Sequence, residues 1–169
     1  MKKHLFLILA ALILLIGGTG ALYIMFIEKS PWEGTWWGVQ DAGVNWSGDT
    51  IRNLEIVTFT KNDDGTVTVR HRVQQGSREI DGSLSGTGTI DGGRLEVTPS
   101  TGRRPFAFTY QRINRTIETP LTNADSSPVS LKVLTEENNE AMENIRSEII
   151  GIAEKPENKI DTTLSSSRS

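Results

Sequence analysis

The chain has no cysteine. That excludes disulfides, thiolate metal sites, a cysteine nucleophile and a lipid anchor of the cysteine-modified lipoprotein kind. Histidine is nearly as scarce: His4 lies in the N-terminal flank, and His71 is the only one beyond it. The Gly-x-Ser-x-Gly elbow, the His-Glu-x-x-His metal motif and the alternating carboxylates of a calcium loop are all missing. Gly86-Thr87-Gly88 is followed by strand-like sequence, so no helix N-terminus is offered to a phosphate. No enzyme activity, no cofactor and no metal are expected. His71 is the one candidate base, and its phase among valines fits a hydrogen-bonded core or rim histidine better. Lysine is rare too: residues 30–120 hold nine arginines and a single lysine, Lys61. The net charge is −3, and residues 121–169 are acidic. This balance argues against nucleic acid and anionic lipid as partners.

Charge is absent altogether from Leu5 to Ile27, a 23-residue apolar run. As a helix it would reach about 35 Å at roughly 1.5 Å per residue, enough to cross a hydrocarbon core of about 30 Å. Leu5, Leu12, Ile16, Tyr23 and Ile27 are its anchor residues. Lys2 and Lys3 precede it, whereas Glu28, Lys29, Glu33 and Asp41 follow. The positive-inside rule then keeps the N-terminus in the cytoplasm and puts the rest outside, periplasmic or extracellular. The alternative is a secreted protein cleaved near Gly18–Ala21, which would leave a greasy new N-terminus. The expected organisation is a flank and transmembrane signal anchor over 1–29 and a β domain over 30–134. An amphipathic helix over 135–153 and a disordered tail over 154–169 complete it.

The β domain is read from alternation. Val67, Val69, His71 and Val73 share one face of a strand over 66–74, with Arg70 and Arg72 on the other. Ile51–Thr60 precedes it, joined by the turn residues of Lys61–Gly65. Strands follow at 84–90, 94–98, 106–112 and 129–134. Phe106, Phe108 and Tyr110 alternate with Ala107, Thr109 and Gln111 in the third of these. The expected fold class is mainly β: six or seven short strands in a small antiparallel up-and-down barrel or half-barrel, with one N-terminal transmembrane helix and a short C-terminal helix. All four tryptophans fall at 32, 36, 37 and 46. Trp32 suits an aromatic belt at the membrane surface with Tyr23. Trp36 and Trp37 point to opposite faces of a strand, so one of them belongs in the β core.

Gly34-Thr35-Trp36, opening an up-and-down β domain, resembles the Gly-x-Trp signature of lipocalin-like proteins. The resemblance implies an eight-stranded barrel whose closed end is plugged by Trp36, with Arg112 or Arg115 packing over it. It also implies a small apolar ligand held among Phe106, Phe108, Val69 and the tryptophans. Gly34–Gly38 is similar as well to the start of nitrobindin-type haem barrels. Those rely on a histidine late in the domain, and none follows His71, so haem is not expected.

Near the C-terminus, Met142, Ile145, Ile149 and Ile152 recur at helical spacing, Thr135 is a fitting N-cap, and Pro156 marks the stop. This helix is expected to cover an open end or edge of the sheet. The leading functional expectation is a membrane-anchored, extracytoplasmic, non-catalytic module that engages a protein partner in an accessory, inhibitor or immunity-type role. Its expected binding residues are Trp36, Trp37, Arg70, Arg72, Phe106 and Phe108. The runner-up is a carrier or sensor of a small apolar ligand.

Overall fold

The structure, a computed structural model, describes residues 31–155. The apolar run from Leu5 to Ile27, with its anchor residues, lies outside that range. Among the described residues no helix is long and apolar enough to cross a membrane.

Nine antiparallel strands run β1 (Gly34–Val44), β2 (Thr50–Lys61), β3 (Val67–Gln75), β4 (Arg78–Asp81), β5 (Gly86–Asp91), β6 (Arg94–Pro99), β7 (Phe106–Gln111), β8 (Thr116–Thr122) and β9 (Pro128–Val133), followed by α1 (Glu136–Glu154). Eight of them form a closed barrel, because β1 pairs with both β2 and β9 while β2 also pairs with β3. The half-barrel alternative is thereby corrected. Closure removes the free edges that an open sheet would present to other chains. The seam between β1 and β9 is tight. A Cβ on Gly38 would stand 2.5 Å from the Ser130 carbonyl oxygen, so only glycine lets the two backbones meet there.

Two strands exceed the sequence expectation. In β8 Pro120 masks the pattern, and its pairing with β9 is irregular between Glu118 and Thr122. In β4 all four residues are exposed, so no buried face produces alternation. This short strand pairs with the end of β3, while β5 pairs with its beginning.

The barrel interior is apolar at one end. Trp32, Phe59, Phe108, Val67, Val69 and Leu95 fill it. Rings meet edge to face, Trp32 with Phe59 at 5.7 Å between centroids and Phe59 with Phe108 at 5.2 Å. Trp32 is fully buried here, so its expected place in a membrane-surface belt is corrected. The residue precedes β1 closely enough to fold under the barrel and plug it. The chain thus enters the barrel at its plugged end.

The expectation that the helix covers an end or edge is also corrected. Helix α1 lies on the outer face of the barrel, where Met142 and Ile149 pack on Trp37, Leu54 and Ile56. Its start is fixed by a capping box: Thr135 accepts from the Asn138 amide, and the Asn138 side chain accepts from the Thr135 amide. Asn138 Oδ1 also accepts from the Trp37 indole at 3.2 Å, which ties the cap to the barrel wall.

Candidate functional site

The end of the barrel opposite Trp32 is polar. Asn53, Glu55, Val57 and Phe59 alternate along the inner face of β2, and the register sets Val57 beside His71 on β3. Glu55 and His71 are 1% and 2% exposed, and His71 Nε2 lies 2.5 Å from Glu55 Oε2. The other ring nitrogen is engaged as well: Nδ1 accepts the Leu84 backbone N–H at 3.1 Å. With Nδ1 an acceptor, the single ring proton sits on Nε2 and is donated to the carboxylate. The contact is a buried hydrogen bond between the ring and the carboxyl. Gly82 makes this arrangement possible. It has no side chain, and a Cβ there would overlap the imidazole.

Beside this pair, a second chain of bonds fixes Asn53. Gln40 Nε2 donates to the Thr122 carbonyl at 2.8 Å, which turns Gln40 Oε1 toward Asn53. Asn53 Nδ2 donates to that oxygen at 3.0 Å. The orientation leaves Asn53 Oδ1 buried without a protein partner. Asn53, Glu55, His71 and the rim residue Asp81 line a cavity of about 290 Å³ at the barrel mouth.

A second feature lies outside the barrel at the same end. The β1–β2 turn is rigid: Asn45 Oδ1 accepts from the Ser47 and Asp49 amides, both at 2.9 Å, and the Asn45 amide donates to the Asp49 carbonyl. This turn holds Trp46 out into solvent at 81% exposure, with Val44 and Ile51 exposed nearby. Trp46 and Ile51 border a groove of about 530 Å³, whose other wall is Ile149, Ile152 and Ala153 of α1.

The residues expected to bind do not converge on one site. Trp36 faces the interior, edge-on to Tyr110 at 6.4 Å, and its indole N–H is buried without a partner. Trp37 faces outward beneath α1, with Lys132 Nζ 3.9 Å from its ring centroid. Arg112 and Arg115 are exposed in the turn after β7, so the arginine expected over Trp36 is corrected: the ring against it is Tyr110. Phe106 and Phe108 pack on each other at 5.8 Å inside the barrel. Arg70 and Arg72 stand exposed on the outer face of β3, and Arg72 binds Glu79 at 2.7 Å.

Sequence reasoning missed Glu55, Asn53 and Trp46. For the first two the signal is present: Asn53 and Glu55 interrupt the inward face of β2, which invites a polar partner across from them. For Trp46 it is an aromatic set inside a turn sequence, Asn45–Asp49. No protein family, curated protein or solved structure matches the chain.

Proposed function

We propose that the chain is a non-catalytic binding module, tethered by Leu5–Ile27 to the outer side of a cytoplasmic membrane, that docks a partner protein through Trp46. The observation that carries this reading is a tryptophan held almost fully in water by a turn with its own hydrogen bonds. An exposed indole on a rigid mount is costly to leave unused. Burying it removes on the order of 200 Å² from water, and tryptophans of this kind dominate interface energetics. Val44, Ile51 and the groove along α1 extend the apolar area around it.

The chemistry of His71 supports the non-catalytic part. Both ring nitrogens are committed, one to Glu55 and one to the Leu84 amide, so neither is offered to a substrate proton. The closed eight-stranded barrel and its inward Trp36 are compatible with a lipocalin-like module. The apolar-carrier reading is weaker, because Trp32, Phe59, Phe106 and Phe108 fill the space that a ligand would take.

The test is gentle detergent extraction of the full chain beside Trp46→Ala. The expected result is a protein retained at fixed stoichiometry by the parent chain and bound at least about thirtyfold more weakly by the variant, a loss of about 2 kcal/mol. Unfolding midpoints of the two chains should agree. Equal retention by both, or bound lipid without a stoichiometric protein, overturns the proposal.

A further inference from the structure

We propose that the barrel mouth is a binding site for a small organic cation, a primary ammonium group on a short apolar stem. This site is separate from the Trp46 surface and stands on different observations. The first is the orphaned acceptor. Asn53 is 8% exposed, its amide orientation is fixed through Gln40 by the Thr122 carbonyl, and its Oδ1 has no protein donor. A buried acceptor without a donor costs about 1–3 kcal/mol, so the site calls for an N–H or O–H from outside the chain.

The second observation is charge. Glu55 lines the cavity with its carboxyl bonded to His71, whose other ring nitrogen already accepts from Leu84, so the ring offers the cavity no free donor. Asp81 adds a second carboxylate at the rim, and no lysine or arginine lines the cavity. The pocket therefore presents acceptors and negative charge together. That selects a cationic donor over a neutral alcohol and rejects an anion.

The third observation is shape. Val73, Ile80 and Leu121 supply the apolar part of the lining, and about 290 Å³ admits only a small molecule. An ammonium group offers three donors, enough to reach Asn53 Oδ1 and Glu55 while its stem rests on these side chains. Among the described residues no group of three His, Asp or Glu side chains is placed to hold a metal ion, so the favoured cation is organic.

The experiment uses the full chain in detergent micelles, with its two histidines labelled with nitrogen-15 in the imidazole ring. Butylammonium, 1-butanol and butyrate, matched in size, are titrated separately, and the His71 ring resonances are followed against His4. The expected result is a saturable shift of His71 with butylammonium alone. Asp81→Asn on the exposed rim should weaken it several-fold, and Glu55→Gln by about tenfold or more. An equal response to 1-butanol would show a pocket indifferent to charge and overturn the proposal. So would the absence of any saturable response, which would leave Asn53 bound to water only.

Discussion

At the residue scale, the Glu55–His71 pair decides how the polar half of the barrel holds together. The carboxylate is buried and the imidazole Nε2–H is its bonded partner. Replacing His71 with alanine removes that donor, strands the Leu84 amide and opens a hole beside Gly82. The expected cost is about 3 kcal/mol or more, read as a lower urea midpoint at unchanged slope. A base would behave differently, losing activity while the fold stayed intact. The phase of His71 is legible in the sequence, because its neighbours at two-residue spacing are valines. Its partner is not: Glu55 lies 16 residues away, and only the β2–β3 register brings the two together. The fate of Trp32 is hidden for a similar reason. An aromatic just after an apolar run is chemically suited to a headgroup layer and equally to a barrel plug, and Phe59 on the neighbouring strand β2 decides between them.

At the scale of elements, the helix and the turns rest on short polar devices. Thr135 caps α1 through the Asn138 amide, and Asn138 in turn holds the Trp37 indole. Thr135→Ala should cost about 1 kcal/mol in chemical unfolding, with α1 losing amide protection before the barrel does. The turns at Asp64 and Asp125 share one design. Each carboxylate accepts from a hydroxyl and an amide two residues on, Thr66 in the first turn and Ser127 in the second. The hydroxyl bond leads in lowering both carboxyls below their ordinary value of 3.8. A depressed native value means that the stabilisation is complete above the ordinary value and is lost as pH falls through the native one. Asp64→Asn should therefore lose stability less steeply than the parent below pH 3.8 in acid titrations followed by circular dichroism. The helix is legible from its cap and its apolar spacing because both signals are local. Its docking face is not, since Trp37, Leu54 and Ile56 reach the outer wall only after β1 and β2 pair. Strand β8 is obscured by Pro120, and β4 has no buried face to betray it.

At the scale of the whole molecule, closure is the step that alternation alone cannot supply. A meander of paired strands follows from period-two patterning and turn residues. Whether it curls fully depends on the β1–β9 seam, where Gly38 admits the close approach. Once closed, the barrel separates its two ends. The end at which the chain enters is packed with aromatics, and the other carries the polar mouth and the Trp46 turn. This division supports the proposed tethered binder, with a filled barrel as scaffold and recognition gathered at the far end. The four tryptophans make the idea directly readable: Trp32, Trp36 and Trp37 are buried, and Trp46 alone stands in water. Oxidative footprinting of the tryptophans, in native membranes and in the purified full chain, measures the decisive quantity. The account predicts that Trp46 oxidises fastest in the purified chain and becomes strongly protected in native membranes, while the other three change little. Equal oxidation of Trp46 in both settings would contradict it.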